Sequence, residues 1–425
     1  MWERFSYYGM RALLVLYMTK YLIDHINSGT YVLGFGLMRH LYGGEATQPL
    51  SSHIYGLYTG LVYFTCFFGG MLADRVLGQR KTVYVGGILM ALGHFLMAVE
   101  SLFLLALLFI ILGNGCFKPN ISTQVGSLYP PGDSRRDGAF TIFYMGVNLG
   151  AFIAPLVCGT LGQRYGWHYG FTAAGVGMCL GLVIYWFGQA YLADDQLTQA
   201  KTQKIEKTPL TSKEWKAILG LIALMVLNII FWAVYEQQGN TIQLFADAQT
   251  DWHIFGWEMP STWFQSVNAF FIILLGPVLI SFWNWQDKRN SQPSSVVKLA
   301  IGCVALGVSF LFLMMITRGI LPTQRIHFMW LVACTFVYTI GELYLSPIGL
   351  SLVTKVAPPR FVSMLMGMWF LAMFFGNYLS GYLGTFYEKM PRDSFFLMLA
   401  ILGIGSGIAI FLLRTPLKNA VGHNT

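Results

Sequence analysis

Six ionisable side chains, Glu3, Arg4, Arg11, Lys118, Glu236 and Glu342, stand within or at the edge of long apolar runs, and their formal charges cancel. An isolated charge at the centre of a bilayer costs about 2.5–3.5 kcal/mol on insertion scales, so six unpaired ones would be prohibitive. They must face a bundle interior and pair. A static set of ion pairs is a weak reason to keep them, because buried pairs seldom offset their desolvation. A switchable set does chemistry: a carboxylate takes a proton, releases its cation, and lets one packing of helices give way to another, so that proton and solute share one equilibrium. Arg4, Tyr8 and Arg11 fall at i, i+4 and i+7, on one face of a helix, with Glu3 and Tyr7 on its flank. Tyrosine hydroxyls can bond a polar ligand while their rings pack on side chains of varied chemistry, which suits a site that reads a shared backbone. Tyr7, Tyr8, Tyr58 and Tyr63 are the candidates, each with the plainer alternative of a satisfied core tyrosine.

The elements that position these groups follow from composition. Of 425 residues, 55% are apolar and only 11% are Asp, Glu, Lys or Arg. A water-soluble domain carries about 25% charged residues and could not cover its surface with so few. At roughly 20 apolar residues per transmembrane helix, the chain suffices for about twelve spans with little left for a soluble domain. Apolar runs lie at 1–23, 53–73, 82–99, 102–126, 139–162, 169–192, 214–235, 264–285, 297–317, 326–353, 361–386 and 394–413. None has the form of a cleavable signal peptide, so the first is a true span. That it opens at residue 1, with Glu3 and Arg4 so near the start, predicts further residues upstream. The apolar piece Tyr31 to Tyr42 is too short to cross and predicts a surface helix or packed loop.

The net charge of +8 reflects topology rather than nucleic-acid binding. With a cytoplasmic N-terminus and alternating loops, the inside loops hold 17 Lys and Arg and the outside loops seven, so both termini are expected in the cytoplasm. The six cysteines lie in apolar runs without a CxxC or a Cys/His cluster and read as small core residues. The polar stretch Asp194 to Thr211 reads as a cytoplasmic linker between an N-terminal six-helix bundle, 1–193, and a C-terminal one, 212–425. Gly113-Asn-Gly-Cys-Phe-Lys118-Pro119 and Gly341-Glu-Leu-Tyr-Leu-Ser346-Pro347 share the spacing GxxxxxP in corresponding runs. The glycines and Pro119 should leave the helix locally irregular beside Lys118. A six-plus-six chain with matched Gly/Pro-interrupted helices is what a parallel-repeat transporter of the major facilitator type shows, with its site between the halves near mid-membrane.

Motifs in order along the chain then resemble one family. They are Glu3-Arg4-Phe5-Ser-Tyr7-Tyr8-Gly9-Met-Arg11; Gly69-Gly70-Met-Leu-Ala-Asp74-Arg75-Val-Leu-Gly78-Gln-Arg80-Lys81-Thr82; Gly113 to Asn120; Phe140-Thr-Ile-Phe143-Tyr144-Met-Gly-Val-Asn148-Leu-Gly150; Phe231-Trp232-Ala-Val-Tyr-Glu236-Gln237; Phe264-Gln265-Ser266-Val-Asn268; and Gly341 to Leu350. Together they resemble the proton-dependent oligopeptide transporters of the major facilitator superfamily. The resemblance implies an all-α membrane protein of twelve helices that imports di- and tripeptides with protons by alternating access. It implies Arg11, Lys118 and Asn148 at the peptide, the two cations facing its C-terminal carboxylate, and Asn268 and Glu342 near its amine, with Trp369 at the border. Tyr8 and Tyr63 match the family's pocket tyrosines. Proton coupling falls to Glu3, Arg4, Lys118 and Glu236, with Glu236 against Arg11 or Lys118 the favoured site. Asp74, Arg75, Arg80 and Lys81 are expected to form gating pairs at the cytoplasmic end.

Three departures mark this chain. The family's leading Glu of the first motif would fall before Met1, and the helix-2 histidine of animal members is Gly56 here. His94 reads as a packed core residue. The linker is too short for the two extra helices of many bacterial members, so twelve spans are expected rather than fourteen. No metal or cofactor is expected beside the proton gradient; the partners are di- and tripeptides, protons and lipids, with no nucleic acid and no obligate protein, in a bacterial inner membrane. The alternatives are another small solute such as nitrate or an organic acid, against which Glu342 argues, and a membrane enzyme, for which no HExxH, GxSxG or metal cluster is present.

Overall fold

A computed structural model describes residues 1–129, 133, 135–192, 210–321, 323–358 and 361–421. Twelve long helices account for most of it: α1 Trp2–Tyr17, α2 Thr47–Leu72, α3 Gln79–Leu96, α4 Phe103–Ser127, α5 Arg135–Ala154, α6 Trp167–Gly188, α7 Ser212–Tyr235, α8 Phe264–Lys288, α9 Ser295–Thr317, α10 Phe328–Val356, α11 Val362–Gly384 and α12 Arg392–Leu412. They match the twelve apolar runs in order. Among the described residues nine helical segments are long and apolar enough to cross a membrane. The first, third and eleventh helices fall outside that number. The expected surface piece is a short helix, Phe35–Leu41. The linker 194–211 lies outside the described residues up to 209, and so do Lys201, Lys204, Lys207 and Arg360 of the expected inside charges.

Packing repeats with a shift of six. In the first half α1 packs on α5 and α6, α2 on α4, and α3 on α4 and α6. In the second, α7 packs on α11 and α12, α8 on α10, and α9 on α10 and α12. Between the halves run α2 against α11 and α5 against α8, a pair that the same shift maps onto itself. The two GxxxxxP glycines do the same work in each half. A Cβ on Gly113 would meet the Gly86 carbonyl oxygen at 2.7 Å, and one on Gly341 would meet that of Gly302 at 2.8 Å, so each glycine lets helices four and three, or ten and nine, touch backbone to backbone.

Local chemistry sets the helix ends and breaks. Thr211 and Glu214 form a reciprocal capping box that starts α7: the Glu214 N–H donates to Thr211 Oγ1 at 3.2 Å and the Thr211 N–H to Glu214 Oε2 at 2.8 Å. Thr211→Ala should cost about 1 kcal/mol, read as a lowered Tm of the purified protein. Despite Pro119, α4 runs unbroken past Lys118, and Asn120 Nδ2 donates to the Cys116 carbonyl at 2.7 Å and to the Gly69 carbonyl at 3.2 Å. The irregularity expected beside Lys118 falls instead at Glu236. There α7 stops, a tight turn spans Glu236–Gly239, and a short helix, Thr241–Ala248, resumes.

The halves are clamped at the end away from the linker. Gln163 of the first half bonds Ser261 at 2.8 Å, Asp247 at 3.2 Å and Thr262 Oγ1 at 2.9 Å. Ser52 donates to Asn240 at 2.9 Å, Gln48 to the Gly384 carbonyl at 2.9 Å, and Lys20 pairs with Asp247. Gly56 and Gly381 cross here so closely that a Cβ on Gly56 would lie 2.6 Å from the Gly381 backbone.

Candidate functional site

Between the clamped end and the linker end lies a cavity of about 380 Å³, walled by α1, α2, α4 and α5 on one side and by α7, α8, α10 and α11 on the other. Arg4, Tyr8 and Arg11 reach it from α1, Tyr63 from α2, Lys118 from α4 and Asn148 from α5. Glu236, Asn268, Glu342 and Trp369 reach it from the other half. Residues scattered over most of the chain thus share one wall, as the shared helix face and the matched motifs predict.

Three candidates, Glu3, Tyr7 and Tyr58, sit behind the wall. Tyr7 is 3% exposed, stacked on Tyr58 at 6.5 Å and edge-on to Tyr8 at 5.3 Å. It is corrected from a lining position to a backing one, because only positions 4, 8 and 11 share the inward face of α1. Glu3 is also buried away from the cavity, paired with Arg4 at 3.1 Å and within 3.4 Å of Asn114 Nδ2. The turn after α2 holds the residues expected to gate. Asp74 and Arg75 are exposed and have no ion-pair partner among the described residues. Arg80 instead donates to the Leu192 carbonyl at 2.6 Å, tying the turn to the end of α6, while Lys81 is exposed. Pairs at this end need the halves to meet there, and the cross-half bonds described above are made at the other end.

Within the wall the charges fall into two kinds. Arg11 and Glu236 form an ion pair that bridges the halves, and Arg11 Nε donates to the Tyr55 hydroxyl at 2.7 Å. Lys118 and Glu342 are unlike them. The Lys118 ammonium lies 4.0 Å above the Tyr63 ring and has no carboxylate within ion-pair distance among the described residues. Glu342 accepts from Asn268 Nδ2 at 2.9 Å, an amide that also reaches Thr339 Oγ1 at 3.0 Å, and no described cation pairs with it. A cation and a carboxylate, neither with an ion-pair partner among the described residues, therefore face a common space from opposite halves. That arrangement orients a zwitterion by charge.

Aromatic and amide groups complete the wall: Tyr144, Trp232, Tyr235 and Gln265 line it and were not singled out in the sequence. Trp232 and Tyr235 could have been found, since they stand four and one residues before Glu236. Tyr55 was missed as well, though it lies three residues before Tyr58 on the same helix. His94 is fully buried and within 2.7 Å of Ser6 Oγ, which fits a packed residue. Cys66, Cys158, Cys303 and Cys334 are buried.

Comparison with known proteins supplies the family. The profile of the POT family matches residues 80–207 and 193–398. The chain is 33% identical to the peptide transporter YePEPT of Yersinia enterocolitica, covering 100% of this chain and 93% of that one. It is likewise 33% identical to a di-/tripeptide transporter of Lactococcus lactis subsp. cremoris, over 99% and 94%. Among solved structures it resembles a peptide transporter POT in complex with sulfate, at a TM-score of 0.86 and 32% identity over 99% of this chain and 93% of that one. A POT family transporter in complex with 5-aminolevulinic acid superposes at 0.84 with 27% identity, over 98% and 94%. With its two six-helix bundles, its bridged cavity and these matches over nearly its whole length, the chain belongs to the POT family of proton-dependent oligopeptide transporters.

Proposed function

We propose that the chain is a proton-coupled symporter that imports di- and tripeptides by alternating access, and that it is a transporter rather than an enzyme. The observation that carries this reading is that Lys118 and Glu342 face one cavity from opposite halves, each without an ion-pair partner among the described residues, beside the exchangeable Arg11–Glu236 pair. A short peptide is a zwitterion, with a carboxylate for Lys118 and Arg11 and an ammonium for Glu342 and Asn268. Side chains of varied chemistry then meet Tyr8, Tyr63, Trp369 and Asn148 and the aromatic wall. The relatives' names support peptides, and the 5-aminolevulinic acid held by one of them also carries an amine and a carboxylate.

In this reading a proton arriving from outside neutralises Glu236, Arg11 lets go, and Arg11 with Lys118 takes the peptide carboxylate. Release of the proton inside restores the pair, which displaces the carboxylate. The arrangement described, with the pair made and the outer end clamped, is the one expected after release. Glu3 and Arg4 serve the same proton traffic from behind the wall, and Asp74, Arg75, Arg80 and Lys81 serve closure of the other end. The two bundles are 1–193 and 212–425, joined by the linker 194–211, with both termini and the linker in the cytoplasm of a bacterial inner membrane. The proton gradient drives the cycle without a cofactor.

The test is uptake of labelled dialanine into liposomes, with competition by blocked analogues. N-acetyl-dialanine, which lacks the ammonium, and dialanine amide, which lacks the carboxylate, should each compete about tenfold or more weakly than dialanine, since a buried charge then goes unpaired. Glu342→Gln should narrow the gap for the acetylated peptide, and Lys118→Gln the gap for the amide. Equal competition by all three in the wild type would remove the zwitterion reading. Nitrate as a better competitor than dialanine would favour the small-anion alternative.

A further inference from the structure

We infer that Tyr55 is a positioning residue for proton coupling: its hydroxyl, admitted by a notch at Gly239, aims Arg11 at Glu236. This rests on the reading of Glu236 as the coupling carboxylate. Tyr55 is wholly buried on α2 and takes no part in the cavity wall, so contact with substrate does not explain it. Its oxygen accepts from Arg11 Nε at 2.7 Å, and its ring lies 5.8 Å from the Arg11 guanidinium carbon. The guanidinium is a rigid planar fork, so fixing Nε on one side fixes where the terminal nitrogens point. One of those nitrogens makes the ion pair with Glu236.

Gly239 shows that this placement is built into both halves. A Cβ there would lie 2.0 Å from the Tyr55 oxygen, 3.0 Å from its ring carbon Cζ and 3.1 Å from Arg11 Nε. Any larger residue would expel the hydroxyl. Gly239 closes the same turn that Glu236 opens, so one break in the seventh helix presents both the carboxylate and the notch. Tyr55 also precedes Gly56, whose crossing with Gly381 fixes α2 against α11. Arg11 is therefore held on target while the outer end is clamped. When the first half draws away from the second, the hydroxyl leaves the notch and carries the guanidinium it holds off Glu236, which ties opening of the outer end to freeing of the carboxylate.

Tyr55→Phe keeps the ring and removes only the oxygen. In liposomes, gradient-driven accumulation of dialanine should fall about tenfold, within the range of a coupling free energy, while exchange of dialanine across the membrane without a gradient falls far less. Gly239→Ala should reproduce that split and lower the Tm of the purified protein. The double variant should regain much of the Tm lost by Gly239→Ala, because the oxygen responsible for the closest contact is gone. Equal losses of accumulation and exchange in Tyr55→Phe, or no loss of either, would overturn the inference, as would a double variant no more stable than Gly239→Ala. A wild-type protein with no gradient-driven accumulation would instead bring down the proposed function, and this inference with it.

Discussion

Glu236→Gln abolishes concentrative uptake and spares exchange: that is the expected result with the largest effect on transport. Glutamine has nearly the volume of the protonated acid and cannot ionise, so it holds the site in one protonation state. The Arg11–Glu236 pair bridges the halves inside a buried wall, where loss of a charged partner is felt strongly. With the charge gone, peptide binding no longer alternates with a proton. A linkage of about 1–3 kcal/mol between two ligands corresponds to about 5- to 150-fold in affinity, and the accumulation ratio driven by a pH gradient should fall by a factor in that range. Exchange of labelled for unlabelled dialanine requires no net proton movement and should persist. Tyr55 continues to hold Arg11 Nε in the variant, so the unpaired guanidinium keeps one partner. Measurement of both fluxes on the same liposomes decides the matter, and a variant that still concentrates peptide in response to a proton gradient removes Glu236 from the coupling role.

The second large effect concerns the clamped end. Gly56→Leu places a branched side chain where a single Cβ already falls 2.6 Å from Gly381 and 2.8 Å from the Asn377 carbonyl oxygen. Backbone cannot yield as a flexible side chain would, so the helices must part. Overpacking of this kind costs about 1–3 kcal/mol, all of it borne by the clamped state. The populations should shift by about five- to 150-fold toward the opposite state. The expected readout is a Ser52→Cys reporter, buried and bonded to Asn240 when the end is clamped, that reacts with an impermeant maleimide from outside far faster in the Gly56→Leu background. Uptake should fall in parallel. Unchanged labelling would show that this crossing is not what closes the end.

How far the sequence reaches differs between fold and site. The twelve helices follow from apolar runs of bilayer length, and the grouping of Arg4, Tyr8 and Arg11 follows from a period of 3.6 residues, so both are legible without coordinates. The GxxxxxP echo was legible as spacing, but its meaning, two backbone crossings at Gly86 and Gly302, was not. Tyr7 was misplaced because one helix has two buried faces, one to the cavity and one to α2, and composition does not separate them. Tyr55 and Gly239 escaped notice for a related reason: their significance is a fit between residues nearly two hundred positions apart on different halves. The break at Glu236 was also hidden, since Glu236-Gln237-Gln238-Gly239 has no proline and only a final glycine to mark a turn.

The cluster around Gln163 and Asp247 has a consequence for speed. Each neutral hydrogen bond in it contributes roughly 0.5–1.5 kcal/mol, and several act together at one face. If nothing of similar strength formed at the opposite face, the molecule would rest almost wholly in one shape and turn over at the rate of rare escapes. A carrier that alternates between two shapes needs them within a few kcal/mol of each other, so that neither becomes a trap. On the proposed cycle, the exposed Asp74 and Arg75, with Lys81 on the next helix, are the groups expected to supply the counterweight to the clamp when it reverses.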